Sequence, residues 1–197
     1  MARKTDRRVQ RTRKLLQEAL VSLILEKRYD KITVQEIIDR ANVGRSTFYA
    51  HFQDKEDLLA SNFASYTAQW DHPDETDHEH KVSPESPHVL HSLDFFLHAN
   101  EAYEFHQAMF EGGGAEVMLE TGRQHMMADV QNHLLDFLPE DEESDIPLPV
   151  ITNFLAGGLL SVMVWWLKEK RPYPPEKINE MFQQLAMRGV ESLFTAD

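Results

Sequence analysis

Five polar side chains near the start of this 197-residue chain have types and spacing suited to contacts with DNA. Arg45 can form a bidentate hydrogen bond with guanine, and the short hydroxyl side chains of Ser46 and Thr47 can reach base edges or phosphates. Tyr49 and His51 add a phenolic hydroxyl and an imidazole N–H, although they could also be ordinary surface residues. The segment therefore predicts base reading at its start, provided that a helix presents it.

Local signals predict the helices that would position this segment. Apolar residues recur at three- and four-residue spacing from Arg7 to about Leu25, which predicts an amphipathic first helix. Thr33 and Glu36 have the spacing of a capping box, which predicts a second, short helix that ends near Ala41.

A tight turn then leads into a third helix. The turn is Asn42-Val43-Gly44, and the residues from Arg45 to Phe52 have room for about two helical turns, with Phe48 on the buried side. Asp54 can cap a fourth helix that extends to about Trp70. Two short helices joined in this way are typical of a helix-turn-helix motif, whose second helix enters the major groove of DNA.

The segment ITVQEIIDRANVGRSTFYAHFQDKEDLL resembles the N-terminal helix-turn-helix of TetR-family transcriptional regulators. The resemblance covers residues 7–63, and its most specific part is Thr47 to Phe52 followed by Asp54 to Leu59. It is closest to the branch that includes dihydroxyacetone-kinase-operon regulators, whose recognition helix reads Arg-Ser-Thr-Phe-Tyr.

The resemblance divides the candidate DNA contacts into two groups. The base-reading residues that it implies are Arg45, Ser46 and Thr47. The phosphate-binding residues that it implies are Thr33, Tyr49, His51 and Lys55.

Three positions depart from the common family pattern. Many members have Ser where this chain has Gly44 and Gly where it has Ser46. At the position of Ala50, other members often have an aromatic or basic side chain that would reach DNA. The operator sequence therefore does not follow from the resemblance.

Charge is distributed unevenly along the chain. Residues 1–60 contain 13 of the 20 Lys and Arg residues and 9 acidic residues, whereas residues 61–197 contain 7 basic and 24 acidic residues. This asymmetry predicts a DNA-binding domain over residues 1–60 and an acidic helical domain over residues 61–197. The basic residues from Arg3 to Lys14 are expected to form a flexible arm that adds phosphate contacts, the alternative being a solvated tail.

Several functional classes are disfavoured by composition and motif content. The chain has no cysteine, which excludes disulfides and thiolate metal sites, and no run of 18 apolar residues, so we expect a cytoplasmic protein without a membrane segment. No nucleotide-binding loop, nucleophile elbow or dinucleotide fingerprint is present, so we expect neither an enzyme nor a cofactor.

The remainder of the chain predicts an all-α body. Residues 71–86 are expected to form a loop, and a helix is expected from Ser86-Pro87 to about Phe110, ending at Gly112-Gly113-Gly114. A further helix is expected to stop at Pro139, before two closing helices over residues 150–170 and 175–194.

The closing helices are expected to form the interface of a homodimer, because a single reading helix makes too few contacts for tight specificity. The candidate interface residues are Phe154, Gly158, Leu159, Val162, Phe182 and Leu185. A core within one chain is the alternative.

Methionine and aromatic side chains in the body could line a pocket for an apolar small-molecule effector, or could be ordinary core. The candidate pocket residues are Trp70, Phe96, Tyr103, Phe110, Met126 and Met127.

Histidines provide a weak signal for metal. His88, His91 and His98 share a helix face with Asp94, and the segment from Asp77 to His80 adds two more histidines, but solvated residues explain this pattern better and we expect no metal site. The function predicted from these observations is a repressor that binds a palindromic operator as a dimer and is released by an effector. A regulator controlled by a protein partner or a metal ion is the alternative.

Overall fold

The computed structural model describes residues 2–67, 92–135 and 146–190, and within them the chain forms helices and turns without a strand. The helices are α1 Ala2–Glu26, α2 Val34–Ala41, α3 Arg45–Tyr49, α4 Lys55–Thr67, α5 Ser92–Glu101, α6 Tyr103–Glu111, α7 Ala115–Leu135, α8 Leu148–Lys168 and α9 Pro175–Val190. A 3-10 turn, Tyr29–Lys31, lies between α1 and α2. The all-α fold class is confirmed.

The chain divides into two compact units. The first unit contains residues 1–69 together with 104–121, and the second contains residues 70–103 together with 122–197. The domain boundary predicted at residue 60 was placed where the basic segment ends. The first unit of the structure also includes α6 and the beginning of α7.

The core of the first unit is formed by one face of α1 and by the helices that pack on it. Leu16 and Leu20 on α1 are fully buried, as are Ile37, Phe48 and Leu58 on the next three helices. Met109 of α6 and Met118 of α7 are buried in the same core. Because these two side chains come from the middle of the sequence, the N-terminal helices do not complete their own hydrophobic core.

The predicted capping box at the start of α2 is confirmed. Thr33 Oγ1 accepts a hydrogen bond from the Glu36 amide, and the Glu36 carboxylate accepts one from the Thr33 amide. Glu36 also pairs with Lys27. The Lys27 ammonium, and after it the hydrogen bonds from Thr33, lower the pKa of Glu36 to about 2.

The turns on either side of α3 also form as the sequence predicts. Asn42 ends α2 in the left-handed conformation with φ of 53°, and its amide donates back to the end of that helix. Asp54 accepts a 2.7 Å hydrogen bond from the Asp57 amide, while Asp57 accepts one of 2.9 Å from the Gln53 amide. Local capping therefore determines where α3 and α4 can lie in the chain.

Two predicted elements differ from the structure. The backbone of α1 is helical from Ala2, where a flexible arm from Arg3 to Lys14 was expected, because adding residues to a helix that has already nucleated costs little. The single helix predicted up to Phe110 is wrong, because α5 ends at Glu101 and α6 begins at Tyr103. The predicted start at Ser86-Pro87 lies outside the described residues.

A tertiary contact explains the end of α5. Arg171, in the turn between α8 and α9, donates to the Asn100 backbone oxygen at 3.2 Å and to its side-chain oxygen at 2.9 Å. The Arg171 guanidinium also lies 3.7 Å from the centroid of the Tyr103 ring. In a continuous helix the Asn100 carbonyl would accept from the amide four residues later, so Arg171 satisfies the group that the break would leave unpaired.

The second unit packs α5 against α8 and α9. The Phe96 ring is fully buried and packs edge-on against Trp166, with 5.7 Å between the ring centroids. Its centroid lies 6.5 Å from that of the Phe182 ring. Ser92 donates a 2.6 Å hydrogen bond to Asn179, and Gln183 donates one of 2.7 Å to Ser92. This buried polar group between α5 and α9 is satisfied internally and restricts how the two helices can be aligned.

The Glu36 interactions generate a pH-dependent stability prediction. Glu36 has a lowered pKa in the folded state, so its ionised form stabilises the fold above its ordinary pKa of 4.5, and that contribution disappears as pH falls towards 2. The melting temperature of Glu36→Gln should be lower than that of the wild type at pH 7. The two melting temperatures should converge as pH falls from 4.5 towards 2. Thermal unfolding across this range measures the difference, and a gap that stays constant at low pH would contradict the assignment.

Candidate nucleic-acid interface

Helix α3 presents polar side chains on one side and is anchored by Phe48 on the other. Arg45 and Ser46 are exposed, Tyr49 is 49% exposed and Thr47 is partly buried. Phe48 is fully buried, with the Tyr49 ring edge-on to it at 5.3 Å. The predicted base-reading residues are therefore accessible, and the anchoring ring holds the short helix to the core.

The side chains of Arg45 and Tyr49 lie together on this helix. The Arg45 guanidinium is 5.7 Å from the centroid of the Tyr49 ring, as expected for residues four apart on one helix face. This contact reduces the freedom of an exposed arginine whose planar group must meet a base edge.

The predicted phosphate-binding residues have different surroundings. Thr33 is exposed at the start of α2, where its hydroxyl also donates a 2.9 Å hydrogen bond to Glu36. His51 is partly exposed beside the Phe52 ring. The Lys55 ammonium donates to the backbone oxygens of Tyr29 at 3.1 Å and Ile32 at 3.2 Å. Lys55 therefore has a structural contact that the sequence pattern did not reveal.

Arg13 contributes a second basic group that spacing alone does not single out. Its guanidinium lies 4.7 Å from the centroid of the Phe52 ring, at the junction between α3 and α4. In the sequence Arg13 is one of several cations near the N-terminus, and only the packing of α1 brings it to this junction.

Comparisons with known proteins agree with this helix-turn-helix geometry. The family model of bacterial regulatory proteins of the tetR family matches residues 16–61, and a model of the C-terminal region of transcriptional regulators in the same family matches residues 91–188. The chain belongs to the TetR family. It is a DNA-binding transcriptional regulator, and the resemblance seen in residues 7–63 is confirmed.

Individual relatives support the same conclusion. The regulator is 26% identical over 183 residues to the uncharacterized HTH-type transcriptional regulator YxbF of Bacillus subtilis (strain 168). The match covers 91% of this chain and 45% of YxbF, so the chain spans less than half the length of that relative.

Three solved structures share the fold. A TetR transcriptional regulator from Streptococcus agalactiae 2603V has 24% identity and a TM-score of 0.61, with 94% of this chain and 99% of that chain covered. The dihydroxyacetone kinase operon activator DhaS has 18% identity and a TM-score of 0.63, with 93% and 98% covered. The fatty acid degradation regulator FadR from Bacillus halodurans has 18% identity and a TM-score of 0.58, with 91% and 96% covered.

The predicted pocket residues of the regulator are distributed over both units. Phe110 is partly buried against the core of the first unit. Phe96 is fully buried against Trp166 in the second unit, and Met126 is also buried there. The Tyr103 ring lies beneath the Arg171 guanidinium. The Met127 sulfur accepts a 3.1 Å hydrogen bond from Arg123, and Trp70 lies outside the described residues. An effector pocket formed by this set remains a prediction.

The predicted dimer residues of the regulator fall into exposed and buried groups. Phe154 is 57% exposed and Leu185 is 67% exposed. Leu159 and Phe182 are buried within the protomer, and the Phe182 ring lies against Phe96 of α5. Val162 is partly buried. Gly158 lies against Phe182, since a Cβ at this position would be 3.7 Å from the Phe182 ring.

Two other features of the body bear on alternative functions. Among the described residues no group of three potential ligands could hold a metal ion. Asp94 and His98 lie on α5, whereas His88, His91 and the histidines of 77–80 lie outside the described residues. Helix α8 is long and apolar enough to cross a membrane, with a mean hydropathy of 1.7, but a core helix of a soluble protein has the same properties and α8 contributes Trp166 and Leu159 to a core.

The anchoring of α3 gives a stability prediction. Phe48→Ala should destabilise the regulator by about 3–5 kcal/mol, because it leaves a cavity under the recognition helix. The neighbouring Tyr49→Phe variant retains its ring and should lie within about 0.5 kcal/mol of the wild type. Urea unfolding measures both, and equal stability of Phe48→Ala and wild type would show that this ring does not hold α3.

Proposed function

We propose that the protein is a homodimeric repressor that occupies a palindromic operator and is released by a small organic effector. The observation that carries the proposal is the exposed polar face of α3 on a buried Phe48 anchor, in a segment with a net positive charge. A cytoplasmic regulator without enzymatic activity fits this role.

Base reading is proposed for Arg45, Ser46 and Thr47, at the start of α3. Because Arg45 is exposed and restrained by Tyr49, it can approach guanine with both terminal nitrogens. Contacts with the DNA backbone are proposed for Thr33, Tyr49, His51 and Lys55, which belong to the same unit as α3.

A homodimer is supported by an exposed apolar face on the last two helices. On α8, Val150, Phe154 and Trp165 are each about half exposed, and a Cβ at Gly157 would meet nothing within 4 Å. These positions recur on one side of the helix. Leu185 of α9 is also exposed. An apolar face of this extent is costly to leave in water, and a second copy related by a two-fold axis matches a palindromic site with half-sites about 34–36 Å apart.

Release by an effector would act through the equilibrium between two arrangements of the dimer. The pocket proposed from Phe96, Tyr103, Phe110, Met126, Met127 and Trp70 would favour the arrangement that does not fit the operator. A coupling free energy of about 1–3 kcal/mol corresponds to about 5–150-fold weaker DNA binding. Helix α7 contributes residues to both units.

Removal of the Arg45 guanidinium tests the reading of DNA bases. Arg45→Ala should weaken binding to the selected operator by about 1–3 kcal/mol and relax the preference at one base position. Binding of the wild-type protein should itself depend steeply on salt concentration. Selection of bound DNA from a random pool followed by fluorescence anisotropy across salt concentrations measures both effects. Arg123→Ala removes the guanidinium of another exposed arginine, on α7, and serves as the control. Unchanged base preference in Arg45→Ala would refute its proposed role.

A charge placed on the apolar face tests the dimer. The double variant Phe154→Glu/Leu185→Glu should become monomeric, because an interface would have to bury two unpaired carboxylates, and should lose tight operator binding. Leu25→Glu alters a leucine of similar exposure, 51%, on α1 and should remain dimeric. Sedimentation equilibrium distinguishes the species, and a folded double variant that stays dimeric would place the interface elsewhere.

Transcription from an operator-linked reporter tests the direction of regulation. Expression should fall when the protein is present. A rise would instead identify an activator, which is the role stated in the name of the structural relative DhaS.

A further inference from the structure

Gly112, Gly113 and Gly114 form the turn after α6, the glycine turn. This turn is held against the 3-10 turn Tyr29–Lys31. The Asp30 amide donates a 3.0 Å hydrogen bond to the Gly112 carbonyl, and Arg28 donates one of 3.0 Å to the Glu111 carbonyl. Both pairs join residues that are far apart in sequence. The end of α6 is therefore fixed to the segment between α1 and α2.

The fit between these two turns leaves no room for a side chain at Gly112. A Cβ there would lie 2.5 Å from the Ala108 carbonyl oxygen and 2.9 Å from the Tyr29 amide nitrogen, both of which are backbone atoms. Gly113 has a φ of +79°, and a Cβ there would lie 3.2 Å from the Asp30 carboxylate. The chemistry of glycine is thus required for the close approach and for the backbone conformation.

The same 3-10 turn also holds Lys55. Its ammonium binds the carbonyls of Tyr29 and Ile32 and lies 4.4 Å from the centroid of the Tyr29 ring. Tyr29 is 2% exposed and its hydroxyl lies 3.3 Å from Glu56. Burial, together with the Glu56 carboxylate, raises the pKa of Tyr29, so its hydroxyl stays protonated and donates to Glu56. Tyr29 is therefore in contact with both the glycine turn and Lys55.

We propose that the glycine turn positions Lys55 for DNA, with Gly112 and Arg28 acting as positioning residues that set DNA affinity without contacting DNA. An ammonium has three donors, and the two carbonyls use two of them, which leaves one for a phosphate oxygen. A shift of the 3-10 turn moves both carbonyls and therefore the ammonium. The inference rests on the proposed phosphate contact of Lys55.

The first test is Gly112→Ala in the full-length protein. The added methyl group would crowd both the Ala108 carbonyl and the Tyr29 amide, so the contact between the end of α6 and the 3-10 turn must change. Operator affinity should then fall about fivefold near physiological salt, and the slope of log affinity against log salt should decrease by about one, as for the loss of one phosphate contact. Base preference should not change. Gly122→Ala makes the same substitution on α7, where a Cβ meets nothing within 4 Å, and should bind like the wild type. An unchanged salt slope in folded Gly112→Ala would overturn the proposal.

The second test asks whether the effect passes through Lys55. Lys55→Gln removes the charge but retains an N–H donor for the carbonyls, and should by itself show the fivefold loss and the lower slope. Gly112→Ala should then cause no further loss in the Lys55→Gln background, whereas independent effects would multiply. Multiplying losses would overturn the proposal and leave the glycine turn as core packing alone.

A milder variant covers the case in which Gly112→Ala does not fold. Arg28→Ala removes the hydrogen bond to the Glu111 carbonyl, together with the ion pair between Arg28 and Asp30, without adding an atom. Its loss of affinity should likewise vanish in the Lys55→Gln background. If Lys55→Gln binds with wild-type affinity and slope, the phosphate contact itself is absent and the proposal falls with it, although Arg45→Ala still tests DNA binding separately.

Discussion

The bonding of the Lys55 ammonium to the carbonyls of Tyr29 and Ile32 joins two segments of the DNA-binding unit that are 26 and 23 residues apart in the sequence. It joins the start of α4 to the segment that ends at Thr33, the cap of α2. A lysine that loses hydration needs such acceptors, and here they are the carbonyl of the first residue of the 3-10 turn and that of the residue that follows the turn. Because α3 lies between α2 and α4 in the chain, this contact limits where the recognition helix can lie.

The same segment also explains why the DNA-binding unit is discontinuous in sequence. Met109 and Met118 fill its core, and the glycine turn fits closely against Tyr29. Residues that neither read bases nor bind phosphates are therefore part of the structure that presents those groups. In the body, the Phe96 ring packed on Trp166 has the corresponding role, since it joins α5 to α8.

Much of the helix-turn-helix was predictable from the sequence because its signals are local. Thr33 and Glu36 are three residues apart, and Asp54 caps a helix that begins at the next residue. Asn42 adopts the left-handed conformation that its side chain tolerates. The exposure of Arg45 and Ser46 follows from the burial of Phe48, since positions on one short helix are related by its periodicity.

The body was harder to predict because its signals are not local. The apolar stripe on α8 includes both Leu159 and Phe154, but Leu159 is buried within the protomer and Phe154 is exposed. Periodicity identifies a wide apolar stripe without saying which part of it faces α5 and which part remains for another molecule. The break after Glu101 likewise depends on Arg171, which is 71 residues away from Asn100.

The sequence by itself determined the family and the helical class and predicted the side chains proposed to meet DNA, because caps, turns and short-range periodicity act over a few residues. Only the tertiary structure decided that Lys55 binds backbone carbonyls, that α6 belongs to the DNA-binding unit and that Leu159 and Phe182 are core. The physical reason is that these outcomes depend on which distant surfaces exclude water from one another. Burial of that kind is a property of the packed chain and leaves no signal in neighbouring residues.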